Sequence, residues 1–226
     1  LLYTAADDRL ELFTTARRAA WTSLAFCLRM AASVELAIEP RELEGGIRLI
    51  AEGGGAFCPQ LFLADAIENG AGFVTHLAEP SRFPALIERT RALIEQWHDP
   101  AEHACDSSCP GCLRDWSNLS YHPILDWRLA ADTFEILTTG APQRDRWGDI
   151  LARAAQAVAR DFDWQLLEHG VEPLVRTHDG RLLIVVHPLR ALDGQIQTGV
   201  LTGHGTALPI DAFNFDRRPG EVFRRR

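Results

Sequence analysis

The stretch His103-Ala104-Cys105-Asp106-Ser107-Ser108-Cys109-Pro110-Gly111-Cys112 decides how this chain is read. Four side chains able to bind a soft or borderline metal fall within ten residues, with one, three and two residues between them. Zinc prefers tetrahedral nitrogen and sulfur coordination, and a closed four-donor shell is its structural form. The turn Cys109-Pro110-Gly111-Cys112 has knuckle spacing: it aims two thiolates at one point, and Gly111 lets the backbone fold back so that N–H groups face sulfur. Three thiolates and a neutral imidazole around Zn²⁺ leave a net charge of about −1, which N–H groups and an arginine nearby can offset. Free cysteines are often core residues, but Asp, Ser, Pro and Gly surround these and do not make a core. An iron–sulfur cluster usually takes four cysteines. A redox Cys-x-x-Cys leaves the third Cys and the His without a role. His103 fits the spacing of a fourth ligand, while His98 and His122 also flank the cluster and Cys58 can reach it in space.

Working outward, the chain has 226 residues and a net charge of −8. Every basic residue is arginine, and lysine is absent. That excludes a P-loop, Schiff-base catalysis and the nuclease and phosphodiesterase signatures that need a lysine. Residues 1–140 hold 20 acidic residues and 11 arginines, whereas residues 141–226 hold 11 and 12. The acidity of the first part argues against a large non-specific nucleic-acid surface there. Five cysteines, three of them clustered, do not form a disulfide framework and point to an intracellular, cytoplasmic protein. No apolar run is long enough to span a membrane, and no charged leader is visible. The chain opens Leu1-Leu2-Tyr3-Thr4 without an initiator Met, so a segment of a longer protein is expected.

Apolar periodicity predicts helices over 15–34, 83–97 (with Ser81 as N-cap), from Pro123 to before Gly140, and from Trp147 to Leu166. Strands are expected at 10–13, 36–38, 47–50 and 60–64, with a loop at Gly53-Gly54-Gly55. Residues 172–177 and 181–187 read as a hairpin around His178-Asp179-Gly180, and the run 182–186 as a strand buried on both faces. Gly194, Gly199, Gly203 and Gly205 mark turns. The fold class is α+β, with a first domain over 1–140, a polar bridge at 139–146 and an α+β extension of unassigned role over 141–226.

Leu61-Phe62-Leu63-Ala64-Asp65, Asn69-Gly70-Ala71-Gly72-Phe73, the cysteine stretch running on into Leu113-Arg114, then Asn118, His122 and Leu125-Asp126-Trp127-Arg128 come in a fixed order. Over about residues 8–138 this resembles the MrfA-like zinc-binding C-terminal domain of bacterial superfamily-2 (DEAD/DEAH-box) helicases, including relatives in phage-defence systems of the DISARM type. The family pattern has four cysteines. Three fall on Cys105, Cys109 and Cys112, and the first falls on His103, a conservative departure for zinc that favours His103 over His98 and His122. The resemblance implies a structural Zn²⁺ and no catalytic residue in this chain. It also implies an accessory role beside motor domains of the same chain, contact with DNA, possible defence-system subunits, and work in DNA repair or antiviral defence. ATP and Mg²⁺ would belong to the motor, because this chain holds neither Gly-x-x-x-x-Gly-Lys nor Asp-Glu-x-His. A motor-less scaffold subunit of an anti-phage complex is the alternative.

Other residues carry weaker signals. Asn69-Gly70-Ala71-Gly72 can offer N–H groups to an anion or be a tight turn. Asp65 can be a catalytic carboxylate or a cap. Arg114 and Arg128 can meet phosphate, or Arg128 can pair with Asp126 and hold the metal loop to its helix, which is the favoured reading. Phe213-Asn214-Phe215-Asp216-Arg217-Arg218 suits single-stranded nucleic acid or a turn packed by two Phe. His169, His178, His187 and His204 match no ligand spacing, and Glu172 with Asp179 suggests a nuclease only faintly.

Overall fold

A computed structural model of the chain describes residues 2–4, 14–51, 57–67, 70–167, 172–190, 196–197 and 206–218. The expected strand at 10–13, the glycine loop at 53–55, Glu68, Asn69, His169, His204 and the glycines 194–205 lie outside them. The chain divides into two compact units, Leu1–Gln143 and Arg144–Arg226. The fold is α+β, as the sequence pattern implies. No helix among the described residues is long and apolar enough to cross a membrane.

Unit 1 is built around helix α1, Thr15–Leu36. The Thr14 hydroxyl caps it by accepting from the Arg17 N–H at 3.1 Å. Its apolar residues are not confined to one stripe: Ala16, Ala19, Ala20, Trp21, Leu24, Cys27 and Ala31 are all buried, as befits a helix enclosed on several sides. It packs on strands β2 (Leu43–Ala51) and β3 (Phe57–Asp65) and on helices α3 (Phe83–His98) and α4 (Trp127–Thr139). The expected strand at 36–38 does not form. The helix runs through Leu36, and Ala37 ends it in the left-handed region (φ +55°). The Ile38 N–H then turns back to Ser33 O at 3.0 Å, a helix-terminating bond that uses the backbone groups a strand would need.

Strands β2 and β3 form a nine-residue antiparallel pair, with Leu43 opposite Asp65 and Ala51 opposite Phe57. Strand β1, Leu2–Thr4, lies on the other edge of β3. Short helix α2, Phe73–Leu77, follows β3. Helix α3 begins as expected, but Arg82, not Ser81, is its N-cap. The turn ahead of it supplies the acceptor, since the Phe83 N–H donates to Glu79 O at 3.0 Å. Pro123 does not open the next helix. A 3₁₀ turn spans Trp116–Tyr121, and α4 starts only where the Asp126 side chain accepts from the Arg128 N–H.

Unit 2 carries α5, Gly148–Asp161, and strands β4 (Gln165–Leu167), β5 (Leu174–Arg176), β6 (Leu182–Val186), β7 (Ile196–Gln197) and β8 (Thr206–Asp211), then α6, Ala212–Arg217. The helix expected to reach Leu166 stops earlier: Asp163 takes φ +53°, and Leu166 belongs to β4. The sheet order is β4-β5-β6-β8-β7, antiparallel except for the parallel β6–β8 pair. The expected hairpin is the β5–β6 pair, and β6 is buried along its whole length. Leu174, Leu182, Ile184, Val186 and Ala207 form its apolar core.

Candidate metal centre

The cysteine stretch brings His103, Cys105, Cys109 and Cys112 together, with one donor atom from each within 4.8 Å of the others. Cys109 Sγ lies 3.4 Å from His103 Nε2 and 3.8 Å from Cys112 Sγ. Tetrahedral zinc with bonds of about 2.3 Å to sulfur and about 2.0 Å to nitrogen has edges of roughly 3.8 Å between sulfurs and roughly 3.5 Å between sulfur and nitrogen. These two spacings are therefore those of a shell, not of a disulfide, and all five cysteines are free. The donor set fits Zn²⁺ in number, type and spacing.

Histidine chemistry favours His103 as the fourth candidate donor. His103 Nδ1 stands 3.1 Å from the carbonyl oxygen of Trp97, at the end of α3. A carbonyl only accepts, so Nδ1 carries the proton and Nε2 keeps its lone pair for a metal. His122 is engaged elsewhere: its Nε2 donates toward Asn118 Oδ1 at 2.8 Å and Asp115 O at 3.1 Å. The ring of His98 lies against Trp127. Cys58 is buried in β3 and Cys27 in α1, and neither joins the four donors. Burial pushes the Cys27 thiol far up, keeping it inert.

The knuckle supplies the expected N–H groups. The Cys109 N–H donates to Cys112 Sγ at 3.1 Å, and the Gly111 N–H bonds the Cys109 sulfur. The Cys109 carbonyl accepts from the N–H groups of Cys112 and Arg114 at 3.0 and 3.1 Å. Gly111 itself is not sterically required, because a Cβ there would sit 3.5 Å from Cys109 Sγ, an ordinary contact. Burial raises the Cys112 thiol far above its usual range, and burial also raises Cys105. Burial opposes ionisation of Cys109 too, but its contacts with the His103 ring, the Gly111 N–H and Cys112 outweigh it and hold that thiol low. A divalent cation would reverse the cost at Cys105 and Cys112, since a coordinated thiol is deprotonated outright.

A layer of side chains holds the loop to the helices. The Trp127 indole N–H donates to Cys105 O at 3.0 Å, and the Trp127 backbone N–H donates to Ser107 O at 2.7 Å. Asp126 is almost fully buried; its N–H donates to Ser23 Oγ on α1 at 2.9 Å. Its carboxylate takes the Arg128 guanidinium at 3.0 and 2.7 Å, the intramolecular pair favoured from the sequence. Asn118, fully buried, donates to Leu113 O at 2.7 Å and accepts from the Asp115 N–H at 2.9 Å. Asp115 forms an ion pair with Arg29 of α1, whose guanidinium also reaches Ser117 Oγ at 2.8 Å. Burial lowers the pKa of Arg29. Sequence reasoning missed Ser23 and Arg29, whose contacts reach 103 and 86 residues along the chain and leave no local pattern; it also missed the Trp97 carbonyl, a backbone group that no residue type marks.

The remaining candidates resolve into structural roles. Asp65 accepts from the N–H groups of Gly72, Phe73 and Val74 at 2.8, 3.2 and 2.9 Å. The N-terminus of α2 that an external anion would need is therefore filled by the chain's own carboxylate. Gly72 has φ +78°, and a Cβ on Gly70 would lie 2.3 Å from Asp65 Oδ2, so both glycines serve the turn. In unit 2, Glu172 pairs with Arg190. The Asp179 carboxyl is held low by the Thr177 hydroxyl and then by the charge of Arg181. Phe213 and Phe215 are buried, with Arg217 over the Phe213 ring. Among the described residues, only the four loop donors group in a way that can hold a metal.

Comparison with known families agrees with this geometry. Residues 24–113 match the MrfA Zn-binding domain. The matched span covers less than half of the chain, starts inside α1 and ends one residue beyond Cys112. It thus contains all four donors and the strands and helices that carry them, but stops short of Asn118, Asp126 and Trp127. No curated protein and no solved structure gives a match. The match and the cluster together support a zinc-binding accessory domain, with a His/Cys cluster consistent with structural Zn²⁺.

Proposed function

We propose that this chain is the zinc-stabilised accessory region of an ATP-dependent DNA helicase, with His103 Nε2 and the sulfurs of Cys105, Cys109 and Cys112 holding one Zn²⁺. The observation that carries this reading is the set of four donors within 4.8 Å of one another, two of their separations at tetrahedral length, within the residues that match the MrfA Zn-binding domain. A closed shell leaves no open coordination position, so the metal is structural and not catalytic. Its work is to fix the loop between α3 and α4 and, through Trp127, Asp126 and Arg29, the packing of that loop on α1. Positioning of DNA beside motor domains is the role that supports. ATP and Mg²⁺ act in the motor, so the 226-residue chain alone hydrolyses no ATP.

Two measurements test it. The purified chain should carry zinc and lack ATPase activity. The polypeptide to which it belongs should show a Gly-x-x-x-x-Gly-Lys loop and Asp-Glu-x-His upstream. A polypeptide with neither motif, purified in a complex with other subunits, supports instead the scaffold of an anti-phage assembly.

A further inference from the structure

The residues just after the cysteine loop carry a feature that the metal does not explain. Trp116 is 88 % exposed, Leu119 52 % and Tyr121 45 %. They lie on the 3₁₀ turn Trp116–Tyr121, around a kink at Asn118. This turn is not loosely attached. Asn118 points inward and is fully buried on Leu113 O. The Asp115 carboxylate accepts from the Ser117 N–H at 2.7 Å and pairs with Arg29, and the Tyr121 ring rests on Phe26 with centroids 5.3 Å apart. A pinned segment thus turns an indole, a leucine and a phenol ring to solvent, a grouping that marks a contact surface more than a scattered apolar residue does.

Its charge is as distinctive as its shape. Unit 1 is strongly acidic, yet residues 116–125 contain no acidic side chain. The carboxylates on either side are neutralised, Asp115 by Arg29 and Asp126 by Arg128. Arg114, two residues before Trp116, is different from most arginines of the unit. Arg29, Arg82, Arg89, Arg91 and Arg128 each pair with a carboxylate. Arg114 donates its Nε–H to the Ser108 hydroxyl at 2.9 Å and forms no ion pair among the described residues. An exposed aromatic ledge near a guanidinium in no ion pair among the described residues, in a run of sequence without acidic side chains, has the chemistry of base stacking with a phosphate alongside.

We propose that the ledge of Trp116, Leu119 and Tyr121, with Arg114, binds single-stranded nucleic acid, one base stacking on the Trp116 indole and a phosphate meeting Arg114. This rests on the DNA-positioning reading above and gives it a surface. The test uses the full 226-residue chain with its zinc content measured in each sample. Binding of a labelled oligothymidine strand is followed by fluorescence anisotropy beside a duplex of the same length. The zinc-loaded chain should bind the single strand in preference, Trp116→Ala should weaken binding roughly tenfold or more, and Trp116→Phe should retain most of it. Arg114→Gln should lower the salt dependence by about one counterion. Zinc content should be unchanged by Trp116→Ala, since that side chain is exposed. A zinc-loaded chain that does not bind the strand, or binds it equally as Trp116→Ala, overturns the inference while leaving the zinc module standing. Self-association that depends on Trp116, with no effect of the strand, also overturns it and assigns the ledge to a protein contact. A chain without zinc fails the earlier reading instead.

Discussion

The cysteine loop of unit 1 and the sheet of unit 2 solve the same problem, an irregular segment beside a core, in opposite ways. In the loop, four donors converge with their lone pairs turned on one another, and burial works against the ionised thiols of Cys105 and Cys112. In unit 2 several carboxylates are satisfied by their own neighbours: Glu172 by Arg190, Asp179 by Thr177 and Arg181, Asp211 by Asn214. Beneath them β6 supplies five buried aliphatic side chains in a row. A convergence of donors whose ionised form a cation would stabilise marks a candidate site. A set of closed pairs over an aliphatic strand marks a core.

The comparison breaks most visibly at Cys112, which is buried. Cys112→Ser, or a strong chelator, should remove the metal and cost unit 1 about 3 kcal/mol or more of the roughly 10–16 kcal/mol that zinc supplies to isolated fingers. Amide exchange on β6 should be unchanged if unit 2 stands on its own core. Ile184→Ala is the mirror experiment: it should cost unit 2 about 2–5 kcal/mol by opening a cavity, with zinc stoichiometry unaltered. Loss of zinc in that variant would show that the two regions are not independent.

Smaller changes sharpen the contrast within unit 1. Asp65→Ala removes the acceptor for three N–H groups at α2 and should cost about 1–2 kcal/mol in urea unfolding, again with zinc retained. Phosphate should not bind the wild-type chain at this loop, because the Asp65 carboxylate already takes its N–H groups. Gly111→Ala should change stability by no more than about 0.5 kcal/mol, because the added methyl meets only an ordinary contact. A large loss there would mean that the knuckle closes more tightly around the metal than in this structure.

The legibility of the chain follows the same division. The cluster of four candidate donors was legible because they stand close together in sequence, and the residues that carried the family resemblance, Asn118, His122, Asp126, Trp127 and Arg128, brace the loop or one another. The β5–β6 hairpin was readable from its turn and its aliphatic run. What sequence could not give was decided by distant groups. Leu36, Ala37 and Ile38 read as a short apolar strand, yet the Ile38 bond to Ser33 closes a helix. Leu166 continued an amphipathic period that the backbone abandons at Asp163. Arg29 carries no local signal in the sequence; its partner Asp115 lies 86 residues along the chain.

The central claim is that three sulfurs and the Nε2 of His103 close around one structural zinc. Elemental analysis of the purified chain, before and after His103→Ala, tests it most directly. The account predicts about one equivalent of zinc in the wild type, with tighter retention than in His103→Ala under a graded chelator. A well-folded wild-type chain without metal, or a His103→Ala variant that holds zinc as tightly, would contradict it.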